Sequence, residues 1–224
     1  MVTVTKGINL EITISVILLV LALLMAQQTN FDIWLQNYFF NFTSHSWLIN
    51  KDEPIKKFLF YKLPKALFGI LITALLFYLF FNKTKRCKTI LTLLGLILIP
   101  LLVGNIKKFT NIYCPSQLDL YDGNYPYIRI FNKYPSTFIQ NKKGQCFPAG
   151  HAITGFSFII LYYVFDKKSL RITVLITSII IGWILGLYQM LKGAHFFSDT
   201  LVSMICCFLM SAIIAKIYFK FKPH

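Results

Sequence analysis

Apolar positions along this chain are gathered into long continuous runs, separated by polar or charged connections. Six runs approach the length of about twenty residues that an α-helix needs to cross a hydrocarbon core. Within the runs, hydrophobic and polar residues do not alternate, which excludes a transmembrane β-barrel pattern and favours helices. The predicted helices span residues 8–26, 65–81, 89–103, 150–165, 170–190 and 200–219. The sequence therefore predicts an all-α, polytopic membrane protein: one domain, residues 1–224, built as a six-transmembrane-helix bundle.

The amino-acid composition agrees with a protein whose surroundings are a bilayer. Hydrophobic residues make up 56% of the 224 positions, aromatic residues 17%, and the mean hydropathy is +0.62, all typical of a membrane protein. A net charge of +15 would suggest nucleic-acid binding in a soluble protein. Here the basic residues flank the apolar runs without the aromatic-basic pattern of single-strand binders. The predicted partners are therefore the membrane and its anionic lipids, with no nucleic acid.

Two features of the apolar runs leave alternatives open. Glu11 in the first run is interpreted as an interfacial carboxylate, and Pro100 in the third as a helix kink. The first run also follows Lys6 in the manner of a signal peptide, which would be cleaved. We favour a membrane span, because the run is long and lacks a clear small-x-small cleavage site.

The short connections carry dense positive charge, which predicts the orientation in the membrane. Residues 82–88, 166–171 and 216–222 are strongly basic, so the positive-inside rule places them in the cytoplasm. The long segments 27–64 and 104–147 then lie on the opposite, outer face, together with the short turn that carries His195.

The outer segments contain aromatic and basic residues suited to a membrane interface. Residues 31–40 are predicted to form an amphipathic helix with its aromatic side chains at headgroup level. This helix either lines a lipid access path or anchors the loop. Five lysines nearby either hold lipid headgroups or form a solvated interfacial charge belt. They are Lys51, Lys56, Lys57, Lys62 and Lys65.

A histidine with a carboxylate partner precedes the last apolar run. His195 is followed four residues later by Asp199, and if the last helix begins near Gly193 the two side chains share a face. Asp199 can then hold one ring nitrogen and leave the other free to attack phosphorus. No such partner accompanies His45 or His224, and neither is assigned a role.

A second histidine and two lysines are expected on the same side of the membrane. His151 follows Pro148 and Gly150, which suit the first turn of a helix whose free amide groups form an anion site. Lys107 and Lys108 end the third run and offer fixed positive charge. With six spans, these groups and His195 all lie at one face, and the expected ligand is a phosphate.

Together these residues resemble the three motifs of the PAP2, or type 2 phosphatidic acid phosphatase, superfamily of integral membrane lipid phosphatases. The family motifs are Lys-x6-Arg-Pro, Pro-Ser-Gly-His and Ser-Arg-x5-His-x3-Asp. In this chain they read Lys107-x6-Cys114-Pro115, Pro148-Ala149-Gly150-His151 and Tyr188-Gln189-x5-His195-x3-Asp199. The order, the spacing and the shared face agree over residues 100–205.

Three positions depart from the family pattern. Cys114 and Gln189 stand where the family has arginine, and Ala149 stands where it has serine. Two bidentate phosphate clamps are therefore missing, and lysine does not reproduce their geometry. Ala149 is nevertheless expected to offer its backbone N–H to an oxyanion. The candidates that restore positive charge are Lys192, Lys108 and Arg129.

The resemblance implies a metal-independent phosphoric monoester hydrolase that needs no cofactor. His195 would attack phosphorus to form a phosphohistidine, Asp199 would orient it, and His151 would protonate the leaving oxygen and then activate water. Electrostatic stabilisation would come from groups around the phosphoryl oxygens. The residues expected to bind the phosphate are Lys107, Lys108, Arg129, Ala149, Gly150, Gln189 and Lys192.

The resemblance extends to a substrate class. The divergent motifs, the chain length and the basic outer loops resemble lipid A phosphatases of Gram-negative inner membranes. This implies removal of a phosphate from lipid A, at the 4′ rather than the 1 position, on the periplasmic face. Undecaprenyl diphosphate, phosphatidylglycerophosphate and phosphatidate are alternative substrates, and transfer of the phosphoryl group to another lipid is also open.

Two further classes of function were weighed against a hydrolase. A non-catalytic lipid-binding or transport protein would carry polar residues along the middle of its spans, which these runs nearly lack. A metal site formed by His151, His195 and Asp199 would make the protein sensitive to chelators. The sequence does not indicate an oligomeric state.

The five cysteines divide by their expected location. Cys87 falls in a cytoplasmic connection, and Cys206 and Cys207 fall within the last helix, where they act as small apolar residues. Cys114 and Cys146 lie in the outer segment, in or beside motifs that share one phosphate, and are expected to form a disulfide. Two unpaired thiols are the alternative.

Overall fold

The structure, a computed structural model, describes residues 2–82 and 86–221 as a bundle of helices. The six predicted runs all form helical segments in the predicted order, which confirms the fold class. Lys222, His224 and residues 83–85 lie outside the described part. The α-helices are α1 (Val2–Gln28), α2 (Phe31–Asn37), α3 (Pro54–Lys57), α4 (Leu63–Phe81), α5 (Arg86–Thr110), α6 (Gly150–Phe156), α7 (Lys168–Leu191) and α8 (Phe197–Phe221).

The fourth segment differs from the other five in length and form. Seven residues of α6 are continued by a seven-residue 3-10 helix, Ser157–Tyr163. At their usual rises the two pieces reach about 25 Å, slightly less than a hydrocarbon core of about 30 Å. Within the described residues, five helices are individually long and apolar enough to cross a membrane, and this segment is not among them.

The short fourth segment forms the centre of the bundle, packed among α5, α7 and α8. Its side chains Ile153, Phe156 and Ile160 are fully buried. Close backbone approach is possible because α6 and α7 meet at glycines: a Cβ on Gly155 would lie 2.6 Å from Cα of Gly182. Small residues at such crossings are the usual means of packing helices in lipid.

Glu11 in α1 has hydrogen-bond partners at the end of the fourth segment. Its carboxylate accepts hydrogen bonds from the hydroxyls of Tyr162 (3.1 Å) and Tyr163 (2.8 Å), at the end of the 3-10 helix. These partners lie 151 and 152 residues away along the chain, so the pattern of the first run could not predict them. Pro100 lies within α5, which runs from Arg86 to Thr110.

The predicted amphipathic helix of residues 31–40 is shorter than expected and has a polar buried face. It ends at Asn37, because residues 40–41 form a strand instead. Trp34 is 54% exposed, as an interfacial aromatic would be, whereas Asp32 and Gln36 are buried. The two buried residues are spaced i, i+4 and therefore point the same way, toward the turn between α7 and α8.

A small aromatic layer covers the end of the bundle next to α2. A two-stranded hairpin, β1 (Phe40–Asn41) and β2 (Ser46–Trp47), pairs Phe40 with Trp47. Both rings pack against Tyr121 of the outer loop, with centroids 5.4 and 5.2 Å away. This layer fixes the outer loop over the end of the bundle where α5 ends and α6 and α8 begin.

Candidate active site

The predicted motif residues converge at one end of the bundle. Lys107 lies in the last turn of α5, His151 in the first turn of α6, and His195 in the turn between α7 and α8. His151 lies within electrostatic reach of His195, Lys107 and Lys192. Residues that are up to 88 positions apart in the sequence are thus gathered around one small volume.

His195 is buried and held by Asp199. Its Nδ1 lies 3.2 Å from Asp199 Oδ2, and the two residues are 6% and 1% exposed. The sequence analysis expected both on one helix, but α8 begins only at Phe197, so His195 precedes it. Asp199 instead caps the helix: Oδ2 also accepts the Phe196 N–H at 2.9 Å. Because the carboxylate holds Nδ1, Nε2 is the candidate nitrogen for chemistry at this site.

The surroundings of His195 keep its ring neutral. Burial lowers the pKa of His195 to about 3, and the positive charges of Lys107 and Lys192 lower it further. An imidazole must be uncharged to act as a nucleophile. At neutral pH the ring is therefore in the form that can attack phosphorus.

His151 presents an unsatisfied nitrogen at the same place. Within the described residues, its Nε2 is buried and has no hydrogen-bond partner. The ring packs on Tyr61, with centroids 4.2 Å apart and planes tilted by 33°. Tyr61 belongs to a single π-helical turn, Phe58–Lys62, a local irregularity that occurs often at functional sites. An oriented, unpaired nitrogen is what a proton donor to a bound substrate requires.

Lys107 reaches across the start of α6, and Gly150 makes room for it. A Cβ added at Gly150 would lie 2.6 Å from Lys107 Nζ, so any larger residue would displace the ammonium. The amide groups of the first turn of α6 have no acceptor within the helix. Ammonium and amide donors therefore stand together beside His151.

The structure corrects the role expected for the backbone of Ala149. Its N–H donates to Asp199 O at 3.1 Å and is not free for an oxyanion. Its carbonyl accepts the Ser203 hydroxyl at 3.1 Å, and that hydroxyl also lies 2.8 Å from Asp199 O. Ala149 thus joins the start of α6 to the first turn of α8, and these contacts hold the second and third motifs together.

The residues expected to replace the missing arginines have different surroundings. Lys192 is the C-cap residue after α7, and its Nζ lies 5.0 Å from the Tyr188 ring centroid. Gln189 is buried, and its Nε2 has no partner among the described residues. Lys108 is exposed.

The structure also corrects the role expected for Arg129. Its guanidinium donates to Gln27 O and Asn30 Oδ1, at 2.8 and 2.9 Å. The side chain is therefore engaged at the junction of α1 and α2. Two of its five N–H donors therefore bind α1 and the residue before α2 rather than a phosphate at the motif residues.

The first motif is tied to the other two through the outer loop. Cys114 and Cys146 form a disulfide with Cα atoms 5.1 Å apart, the pair that the sequence analysis expects. The Ser116 N–H donates to Gly193 O at 2.8 Å, in the turn before His195. Cys114, where the family has arginine, therefore links the motifs covalently.

Asp32 is a residue of the site that the sequence analysis missed. Its carboxylate accepts the Ser198 N–H at 2.9 Å and the Ser198 hydroxyl at 2.5 Å, in the first turn of α8. Burial raises the pKa of Asp32 from 3.8 to about 6, and the charge of Asp199 acts in the same direction, against the hydrogen bonds from Ser198. Gln36 donates from the same helix face to Met190 O. Polar residues at i and i+4 in an otherwise aromatic segment were the only available sequence signal.

The described residues contain no group of three histidine, cysteine, aspartate or glutamate side chains arranged to hold a metal ion. His151 and the His195–Asp199 pair lie together as candidate acid, base and nucleophilic groups, beside the ammonium groups of Lys107 and Lys192.

A sequence model described as the PAP2 superfamily matches residues 88–223, which is more than half of the chain. A solved structure, described as the first transmembrane PAP2 type phosphatidylglycerolphosphate phosphatase from Bacillus subtilis, is similar with a TM-score of 0.59 and 17% identity. The similarity covers 95% of this chain and 97% of that one, and at this identity it concerns the fold. No curated protein matches the sequence.

Proposed function

The chain belongs to the PAP2 superfamily, and from that premise we propose that it is a membrane lipid phosphatase that works through a phosphohistidine. The observation that carries the proposal is the buried His195–Asp199 pair, with Nδ1 held 3.2 Å from the carboxylate. The unpaired Nε2 of His151 adds an acid at the same site. A nucleophile, its orienting carboxylate and a proton donor are the parts that this chemistry requires.

The reaction proceeds in two steps. His195 Nε2 attacks phosphorus while the bond from phosphorus to the lipid oxygen breaks, and that oxygen takes a proton from His151. His151 then takes a proton from water, whose oxygen attacks the phosphohistidine and releases inorganic phosphate. Asp199 stabilises the positive charge that His195 carries in between. Both imidazoles end each cycle in their starting state.

Charge on the phosphoryl oxygens is neutralised by groups that this chain offers in place of two arginines. Lys107 and the first amide groups of α6 at Gly150 are the primary donors, and Lys192 adds a second ammonium. Gln189 contributes a neutral donor at the position of one missing arginine. Such preorganised donors commonly supply a few kcal/mol of transition-state stabilisation each.

Lipid A is the substrate that the sequence resemblance favours, with loss of the 4′-phosphate on the periplasmic face of the inner membrane. The similar Bacillus subtilis structure is described as a phosphatidylglycerolphosphate phosphatase, which supports that phospholipid as the second candidate. Both are anionic lipids, and both suit a basic site at the end of a membrane bundle.

Phosphate release by the purified protein from a panel of lipids, with and without EDTA, tests the proposal. We expect release that is insensitive to EDTA and falls by at least ~10³ in His195→Ala and His151→Ala. Asp199→Asn should be slow but measurable. Activity that requires an added divalent metal would contradict the metal-independent mechanism, and no release from any lipid would contradict the phosphatase.

A further inference from the structure

The two histidines of the site are held in different ways. His195 is fixed through its Nδ1, which lies 3.2 Å from the Asp199 carboxylate. Within residues 2–82 and 86–221, His151 Nε2 has no hydrogen-bond partner, and no carboxylate forms an ion pair with the His151 ring. The ring instead packs on Tyr61, with centroids 4.2 Å apart and planes tilted by 33°. An aromatic ring therefore takes the place beside His151 that a carboxylate takes beside His195.

Tyr61 is brought to this place by an irregular turn. Phe58–Lys62 form a single π-helical turn between α3 and α4, and such turns occur often at functional sites. Neighbouring residues of the turn contact different helices: Phe60 stacks on Tyr188 of α7, with centroids 4.9 Å apart, and Tyr61 packs on His151 of α6. Although α3 and α4 contain no fully buried residue, the turn between them thus reaches two helices of the bundle.

The Tyr61 ring also lies among the positive charges of the site. The face of an aromatic ring carries partial negative charge and attracts a cation that lies over it. Lys65 Nζ lies 4.1 Å from the centroid of the Tyr61 ring, and Lys192 Nζ lies 5.3 Å from it. The groups that act electrostatically on the His151 ring are Lys65, Lys107, Lys192 and His195. Among these groups, the Tyr61 ring is a neighbour of His151 that favours a positively charged imidazole.

In the proposed mechanism His151 gives a proton to the leaving oxygen, which requires its Nε2 to point at that oxygen. We propose that Tyr61 is a positioning residue for His151, whose imidazole plane it fixes as Asp199 fixes that of His195. The aromatic ring performs this task rather than the hydroxyl, because the contact is between the two rings. This inference rests on the proposed phosphatase function and adds to it a residue outside the three motifs.

The test depends on the leaving group, because a proton donor matters most when the leaving oxygen is strongly basic. The purified full-length protein is assayed with the lipid that it cleaves fastest among phosphatidate, phosphatidylglycerophosphate and lipid A, and with 4-nitrophenyl phosphate, whose leaving oxygen departs without a proton. Release of the leaving group is followed in a single turnover, so that hydrolysis of the phosphohistidine does not contribute. We expect Tyr61→Leu to slow this step about 10- to 100-fold with the lipid. The rate with 4-nitrophenyl phosphate and the KM for the lipid should be nearly unchanged.

Three further variants link the effect to the ring and to His151. Tyr61→Phe keeps the ring and should retain the wild-type rate with both substrates. Phe60→Leu removes the neighbouring, equally half-buried ring of the same turn, which contacts Tyr188 instead, and serves as the matched control. Its ratio of the two rates should equal that of the wild type, whatever its thermal stability. Tyr61→Leu added to His151→Ala should have no further effect, because a positioning residue needs the group that it positions.

An equal loss with both substrates in Tyr61→Leu would indicate a structural role and overturn the proposal. A loss in Tyr61→Phe as large as in Tyr61→Leu would do the same, because it would assign the effect to the hydroxyl. If the wild type does not cleave 4-nitrophenyl phosphate, the lipid rates decide, and Phe60→Leu as slow as Tyr61→Leu would contradict the proposal. No phosphate release from any lipid by the wild type would overturn the proposed function instead.

Discussion

At the scale of single residues, Gly150 shows how little room the site has. The Lys107 ammonium occupies the space that a side chain at position 150 would fill, because a Cβ there would lie 2.6 Å from Nζ. The glycine is therefore needed for a charge supplied by another helix. Glycine is therefore required at position 150 by the contact with Lys107 of α5 as well as by the first turn of α6, which begins there.

Gly150→Ala is expected to lower kcat by about 10- to 100-fold, the range expected when one donor is displaced from a phosphoryl group. Thermal unfolding should change little, since a lysine side chain can move aside. Gly104→Ala, in the same helix as Lys107 and with no atom within 4 Å of an added Cβ, is the control. Equal rates for the two variants would contradict the placement of Lys107.

The sequence predicted which candidate residues lie together better than it predicted their hydrogen bonds. His151, His195 and Lys107 were found because motif spacing survives in the sequence. The amide of Ala149 was assigned to substrate although it is bonded to Asp199 O, fifty residues away. Tyr61 was not predicted to contact His151 for the same reason, since 90 residues separate the two rings. Such pairings depend on tertiary packing that local patterns do not contain.

At the scale of elements, α2 acts as a brace for the start of α8. Asp32 binds both the N–H and the hydroxyl of Ser198, and Gln36 binds the last turn of α7. His195 lies in the turn between these two contacts. A helix expected to lie flat at the membrane surface thus also holds the turn that contains His195.

Asp32→Ala should lower thermal stability and slow catalysis, because two buried donors lose their acceptor, at a cost of about 1–3 kcal/mol each. Asp32→Asn keeps an acceptor and should be milder.

The pKa of Asp32 is about 6 in the folded protein, against 3.8 in the unfolded chain. The unfolded chain therefore loses this proton at lower pH, and the free energy of unfolding falls as pH rises between these two values. The difference in melting temperature, Asp32→Asn minus wild type, should therefore be more positive at pH 7 than at pH 4. The reverse order would contradict the burial of an ionised Asp32.

The disulfide between Cys114 and Cys146 is the second element-scale feature. It closes a loop with a sequence separation of 32 residues, for which the stabilisation relative to the unfolded chain is about 3–4 kcal/mol. Mass spectrometry of non-reduced, alkylated protein should find the two cysteines in one linked peptide, and Cys87 alkylated. Both outer cysteines alkylated without reductant would contradict the bridge and weaken the assignment of the outer loop to an oxidising compartment.

At the scale of the whole molecule, hydropathy predicted six helical segments but not their different surroundings. Lipid and protein interior are both apolar, so a central helix such as α6 gives the same sequence pattern as a helix that faces lipid. The short length of the fourth segment agrees with the predicted run 150–165, but its 3-10 form was not predicted, because hydropathy does not distinguish types of helix. The hairpin β1–β2 and the π-helical turn at Phe58–Lys62 were also missed, because they depend on the aromatic packing of the outer loop.

The central claim is that this bundle transfers a phosphoryl group to His195, and trapping that intermediate tests it most directly. The purified protein is mixed with lipid carrying a ³²P-labelled terminal phosphate, quenched with alkali within one turnover, digested and analysed by mass spectrometry. We expect acid-labile, alkali-stable label on the peptide that contains His195, and none in His195→Ala, which also loses phosphate release. Rapid phosphate release without label on His195, or near-normal turnover in His195→Ala, would contradict the mechanism.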